Sequence, residues 1–495
     1  MKLPNSFLWH DYETFGTNPR WDRASQFAAI RTDAELKPLP GEEYEWFCKA
    51  AGDMLPQPDA CMVTGITPQA THEMGDKSLR EADFSRRIRE IMLRGNNCSV
   101  GYNSIRFDDE FSRNLFYRNL YDPYEREWKN GNSRWDLIDL VRACYALRPT
   151  GIEWVYHEPG KPSFRLDQLS LANQFEHTDA HDALADVRAT IDLARLLRSA
   201  QPRLFNWSLG LSDKKAVAAM LDPMLQTPLI HVSAKIPAVR GCTTLVLPIC
   251  QHPKIPAQTL CLDLMSDPAI VLESSIEELK DRLFTPTADL PEGIERPGIK
   301  GIAANKCPFI APLSVLKNVD QERIQLDQGR CHKNLQLALK YSRELAEKLG
   351  KLHAENPYPE PTDPDQMIYS GGFLGFSDKQ QLANIHQLSP AELATTKFKF
   401  QDSRLAELLF RYRARNYPET LSVVEQSQWD EFRQQRILQA DMGNQMNLKQ
   451  YLTRIAQLRN EDQTSGKNPD NKTALLDKLE VWPLEIGINS QDGIM

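Results

Sequence analysis

Residues 7–16 read FLWHDYETFG, an apolar, β-compatible run that ends by placing two carboxylates, Asp11 and Glu13, two positions apart. Side chains alternate faces along a strand, so these two acids point the same way with Cα atoms roughly 7 Å apart. Three arrangements accommodate such a pair: an exposed edge strand, a pair of caps or salt bridges, or a metal site. The FLW run directly before Asp11 argues against full exposure. Neighbouring buried carboxylates raise each other's pKa and are costly unless a cation compensates them, and a divalent ion does so most economically.

At 495 residues the chain exceeds one core and suggests roughly two to four domains. Its first 200 residues read as an α/β unit. Turn-bounded runs at 7–12, 26–31 and 44–48 predict an antiparallel meander, and helical periodicity follows at 79–93, 107–120, 134–147 and 182–198, with a strand at 98–102. Strands first, then strand alternating with helix, favour a mixed sheet with helices packed on it. From 201 to 353 the pattern becomes β-rich: LIHVSAKI, TTLVLPIC, TLCLDLM and PAIVLE are separated by Pro, Gly and Asp, and a helix is expected near 334–350. NPYPEPTDP lies in a proline-rich linker, 354–365. Residues 366–495 read as all-helical, with a polar gap EDQTSGKNPDNKT before a last short helix.

Hydrophobic residues at 41% and charged residues at 25% fit a folded globular protein. The start of the chain lacks a signal-peptide core, and no apolar stretch approaches the roughly 18 residues of a membrane span, so a cytoplasmic, membrane-free protein is expected. Nine scattered cysteines without a Cys-x-x-Cys pair argue against a disulfide framework and a structural zinc. They are expected to be reduced and mostly buried. The net charge of −8 gives no global sign of a polyanion partner, so any such partner must be held by local clusters.

Two further acidic features stand out. GYNSIRFDDEF places Asp108 and Asp109 where a helix begins, with Asn103 shortly before, and HDALAD places His181 ahead of Asp186 at the start of a long helix. Acidic first-turn residues also complement a helix dipole, and His181 also suits a solvated cap region. The stretch 113–142 interleaves Arg113, Arg118, Arg134 and Arg142 with Tyr117, Tyr121, Tyr124, Trp128 and Trp135, in the manner of single-strand binders. Core burial is the competing explanation, and it is the one expected for Trp135 and Tyr117. A second basic–aromatic stretch, 397–418, contains Lys397, Lys399, Arg404, Arg411, Arg413 and Arg415, and reads as either a groove wall or a solvated helix face.

The order Asp-x-Glu, Asn-x-x-x-Phe-Asp, His-x-x-x-x-Asp resembles the histidine-bearing branch of the DEDD exonuclease superfamily, with a ribonuclease H-like fold. HDYETFG, TGITP, GYNSIRFDDE, NSRWDLIDLVRACYALRP, PSFRLDQL and AHDALADV are similar to the exodeoxyribonuclease I family, and PLIHVS, NKCP and LLFRYRARNYP extend the likeness over nearly the whole chain. The resemblance implies processive 3′ to 5′ hydrolysis of single-stranded DNA to 5′-mononucleotides in DNA repair and recombination. It implies an exonuclease domain at 1–200, an SH3-like domain at 201–353 and a helical C-terminal domain at 366–495 that closes around the strand.

By the same resemblance, Asp11, Glu13 and Asp186 hold one Mg²⁺, and Asp11 with Asp108 supports a second, Mn²⁺ being a substitute. Asp109 is adjacent and chemically able, but the family motif aligns on Asp108. An imidazole with an ordinary pKa near 6.5 accepts a proton near neutrality, which assigns His181 as general base. The family further implies strand contacts by Arg113, Tyr124, Trp128, Arg142 and Arg165, docking of the tail of single-stranded DNA-binding protein near Arg148 and Trp207, and a monomer. Two rivals are an RNA-trimming or proofreading exonuclease, generally built around the nuclease unit alone, and an inactive single-strand-binding scaffold. The long additional chain weighs against the first. The five filled reactive positions weigh against the second.

Overall fold

The apolar run that opens the chain forms the central strand β1 (Ser6–Thr14) of the sheet that carries the acidic pair. The computed structural model describes residues 4–175, 182–286, 289–354, 360–439, 446–465 and 469–488. These form two compact units, each assembled from segments distant in sequence: Pro4–Asn132, Thr178–Arg188 and Glu360–Met495 in one, and Ser133–His177 with Ala189–Pro359 in the other.

In the first unit β1 pairs antiparallel with β2 (Ala24–Asp33), which pairs antiparallel with β3 (Pro38–Cys48), the meander expected from the sequence. β4 (Ser78–Leu79) adds to β3 and β5 (Asn97–Gly101) to β1, both parallel. Helices α1 (Glu81–Met92) and α2 (Asp108–Arg118) cover the sheet, burying Leu8, Tyr12, Phe27, Phe84, Ile88, Leu115 and Phe116 together. Full burial of a Leu or Phe side chain is worth about 1.5–3 kcal/mol, so this cluster fixes β1 firmly under the helices.

The C-terminal helices do not keep a core to themselves. Ile368, Leu382, Leu405, Leu408 and Tyr412 pack with Tyr117 and Leu120, while Ile437, Leu448, Tyr451, Leu476 and Trp482 pack with Phe15, Phe47, Met54 and Cys61. Helices α4 (Arg404–Asn416) and α5 (Val423–Leu438) belong to this part. Between these segments in sequence, α3 (Ala183–Ala200) starts within the first unit and supplies Asp186.

The second unit contains a five-stranded antiparallel sheet in the order Ile299–Ala303, Gln258–Asp263, Thr243–Gln251, Leu229–Val232, Phe309–Pro312. Three departures from expectation have local causes. PAIVLE is helical at Ala269–Glu273, because the Asp267 carboxylate accepts the Ala269 N–H at 2.9 Å and Pro268 suits a helix start. The predicted helix at 134–147 begins only at Leu137, after a strand Ser133–Asp136, with Asp136 as its cap. The polar gap is helical on both sides: one helix runs over Leu448–Ser465 and another over Pro469–Glu485, polar residues such as Glu and Gln being good helix formers. None of the nine cysteines is in a disulfide, and seven are buried. Among the described residues no helix is long and apolar enough to cross a membrane.

Candidate active site

β1 carries its two acids past the end of its parallel neighbour. Pairing with β5 stops at Trp9–Val100, whereas Asp11 and Glu13 still face Ala28 and Gln26 across β2. The register then shifts between Glu13 and Thr14, so the pairing is irregular right beside the displayed acids. From β5 the chain folds back tightly: a Cβ on Gly101 would stand 2.6 Å from the Ser104 Cβ and 3.0 Å from the His10 carbonyl oxygen. That close approach leads the chain into α2, whose first residue is Asp108.

Asp108 is buried and its Oδ1 accepts the Tyr12 backbone N–H at 3.1 Å, between the two strand acids. Asp109 turns elsewhere, into a buried ion pair with Arg126. At the start of α3, Asp182 caps the first turn by accepting the Ala185 N–H at 3.0 Å. One carboxylate oxygen from each of Asp11, Glu13 and Asp186 lies within 4.8 Å of the others. His181 lies outside the described residues.

Burial pushes Asp11 well above the usual carboxylate range, and the charges of Asp108, Glu13, Asp186 and Asp182 push it further. Burial, followed by Asp186, Asp108 and Asp182, pushes Glu13 up to about 8. Among the described residues, the charged groups that act most on Asp11 and Glu13 are all carboxylates. Oxygens bound to one hard divalent cation at about 2.0–2.6 Å span no more than about 5 Å, so the three-carboxylate group fits such an ion in both chemistry and size. A Cys- or His-rich zinc set is not what these residues offer.

The remaining predicted residues have definite places. On α2, Arg113 is buried and paired with Glu127 and Glu110, each at 2.8 Å, and its guanidinium lies over the Tyr124 ring. Tyr124 is half-buried, with Phe373 edge-on at 6.0 Å, and Trp128 is 62% exposed. In the second unit Arg142 pairs with Asp139 at 2.6 Å and sits over Phe164, and Arg165 pairs at the surface with Asp167 at 2.9 Å. Also there, Arg148 donates to the Val315 and Lys317 carbonyls at 3.1 and 3.0 Å, and Trp207 donates to the Ile310 carbonyl at 2.8 Å. Trp135 and Tyr117 are core residues, as expected.

The arginines of 397–418 are neither a groove wall nor a solvated face. Arg404 donates to the Met367 carbonyl at 2.9 Å and pairs with Asp402 at 2.7 Å, Arg413 pairs with Glu425 at 2.7 Å, and Arg411 and Arg415 turn inward to buried Asp365. Asp182 is the site residue that sequence reasoning overlooked. Its signal was an Asp immediately before a helical run, the usual form of an N-cap.

Comparison with known proteins places these observations. Residues 8–194 match a family model described as exonuclease, residues 212–355 the exonuclease I SH3-like domain, and residues 362–486 the exonuclease I C-terminal domain. The chain is 42% identical over 435 residues to exodeoxyribonuclease I of Escherichia coli K12, covering 88% of this chain and 90% of that one. It superposes on an exonuclease I from Methylocaldum szegediense with a TM-score of 0.90 and 46% identity, covering 97% and 99% of the two chains. On a crystal structure of E. coli exonuclease I in complex with a dA16 oligonucleotide it gives 0.91 and 40%, covering 97% and 100%.

Proposed function

The chain belongs to the exodeoxyribonuclease I family, and from that premise we propose that it degrades single-stranded DNA processively from the 3′ end, releasing 5′-mononucleotides with two divalent ions, Mg²⁺ by preference. The observation that carries this reading is the meeting of Asp11, Glu13 and Asp186 oxygens within 4.8 Å, with Asp108 anchored between the strand acids. Asp11, Glu13 and Asp186 would hold one ion, and Asp11 with Asp108 would support the other. When bound, two such ions supply an activated water and neutralise charge on the phosphoryl and leaving oxygens.

The chain's own groups do the rest. His181 takes the proton from the attacking water, a task for which an imidazole is suited near neutrality. The exposed face of Trp128 and the ring of Tyr124 stack bases, each stack being worth about 1–3 kcal/mol. Arg142 and Arg165 neutralise phosphates, and Arg113 holds the Tyr124 ring from beneath while standing beside the strand. Arg148, a half-buried cation, and Trp207, a partly exposed aromatic, receive the acidic, apolar-ended tail of single-stranded DNA-binding protein. The protein acts as a cytoplasmic monomer in repair and recombination.

The test is release of mononucleotides from 3′-labelled single-stranded DNA with Mg²⁺, with RNA and duplex DNA as controls. Abolition by EDTA is expected, and persistence of cleavage in EDTA, or preference for RNA, overturns the reading. His181→Ala is expected to bind oligonucleotide normally while turnover falls by about two orders of magnitude or more. Near wild-type turnover in that variant removes the histidine assignment. Processivity is measured on the full chain with an excess of unlabelled trap DNA, because the C-terminal helices share core with the N-terminal part of the same unit and their deletion would expose it.

A further inference from the structure

Gln26 stands directly opposite Glu13 in the β1–β2 register, so the two side chains share one face of the sheet, with Cβ atoms about 4.5–5.5 Å apart. It is 1% exposed. Its amide nitrogen donates to Glu45 Oε1 at 2.9 Å and reaches Asp182 Oδ2 at 3.4 Å. Glu45, on β3, is held in turn by an ion pair with Lys77. Asp182 is the cap of α3: its Oδ1 takes the Ala185 N–H at 3.0 Å and its carbonyl takes the Asp186 N–H at 3.0 Å.

A chain of contacts therefore runs from Lys77 through Glu45 and Gln26 to Asp182 and the turn that carries Asp186. We propose that Gln26 is a positioning residue for the divalent-ion site: it ties the ligand-bearing start of α3 to the strand face that carries Glu13. The inference rests on the exonuclease reading of this site and adds to it a residue that touches neither substrate nor ion.

The choice of an amide has a physical reason. A side chain joining two carboxylates must donate twice, and a glutamine NH₂ group has two N–H donors. A lysine would also bridge them but would bring a fixed positive charge beside carboxylates that a cation must occupy. Glutamine makes the tether and leaves the negative field of the site intact. Groups that orient ligands in this way typically govern affinity or activity by about 10–100-fold.

The experiment uses the full chain and three variants: Gln26→Leu, Asp182→Ser and the double. Serine keeps an oxygen at the cap but removes the acceptor for the amide. Mn²⁺ binding is followed without DNA by the loss of the free-ion electron paramagnetic resonance signal, and kcat, KM for an oligonucleotide and the thermal midpoint are measured alongside. Gln26→Leu is expected to weaken Mn²⁺ binding and lower kcat by about tenfold each, with KM changed by less than about twofold and the midpoint nearly unmoved. The double variant should be no worse than the poorer single one, since both break the same link.

Mn²⁺ affinity and kcat within about twofold of wild type in Gln26→Leu overturn the proposal, and so do losses in the double variant equal to the product of the single ones. If leucine is not accommodated, Gln26→Met, unbranched and of equal length, is held to the same criteria. Wild-type cleavage of DNA tests the exonuclease reading, whereas the DNA-free Mn²⁺ titration tests this inference, so the two fail separately.

Discussion

Asp53 and Asp365 are fully buried and Glu13 nearly so, yet guanidinium groups surround the first two, whereas the charges that act most on Glu13 are those of Asp186, Asp108 and Asp182. Arg415 reaches Asp53 at 2.8 Å and Asp365 at 2.5 Å, Arg411 and Arg436 each reach Asp365 at 3.1 Å, and Arg23 reaches Asp53 at 3.3 Å. Burial alone would raise both aspartates, but Arg415 with Arg23 and Arg436 holds Asp53 well below the usual range, and Arg415 with Arg411 does the same to Asp365. At the site the balance has the opposite sign. One cluster is completed by the chain's own cations and ties α4 and α5 to the loop after β3. The other is left for a mobile divalent ion.

The comparison is broken most sharply by removing one acid from each cluster. Asp11→Asn is expected to lower turnover by roughly three orders of magnitude, the scale of losing several kcal/mol of charge stabilisation. In EDTA the same variant should unfold at the same temperature as wild type or higher, because it removes a repelling charge. A clear loss of metal-free stability, read by calorimetry, would show that the site acids are internally paired after all.

Asp365→Ala should do the reverse. Leaving buried arginines uncompensated costs about 3–5 kcal/mol, measured by urea unfolding, while any protein that remains folded keeps its Mn²⁺ affinity. A cost below about 1 kcal/mol would put this network in the class of surface pairs.

The pH dependence of stability separates the two clusters by sign. Folded-state values of Asp53 and Asp365 are depressed, so their contribution is complete above the unfolded value near 3.9 and is lost as pH falls through the folded values. Asp11 and Glu13 are raised, Glu13 to about 8, so in EDTA the folded protein binds more protons than the unfolded one between roughly pH 4.5 and 8. Metal-free stability should therefore decline as pH rises through that interval, and saturating Mg²⁺ should flatten the decline. A flat metal-free profile there, with no weakening below about pH 4, would contradict both assignments.

The two clusters were also unequally legible in the sequence. Asp11 and Glu13 could be placed on one face because strand periodicity is local and the apolar run fixed its burial. Asp108 and Asp109 could not be separated by residue type, since both open a helix; the difference lies in Arg126, which takes Asp109, and in the Tyr12 N–H, which takes Asp108. The arginine network was invisible. Arg415 finds Asp53 at a sequence separation of 362 residues, and a basic–aromatic helix reads the same whether its cations face solvent, DNA or buried acids. The sharing of core between the C-terminal helices and the N-terminal part of the same unit escaped notice for the same reason: periodicity marks an apolar face but not its partner. Gln26 was missed because a polar residue beside a motif carries no spacing of its own, and Asp182 because its N-cap signal marks a helix start and not the site beside it.

Crystals soaked in Mn²⁺ and measured at its absorption edge test the central claim most directly. Anomalous density is predicted within coordination distance of the Asp11, Glu13 and Asp186 carboxylates, with a further peak on the Asp108 side of Asp11. An empty site at saturating Mn²⁺, with those carboxylates instead paired to arginine or lysine, would contradict it.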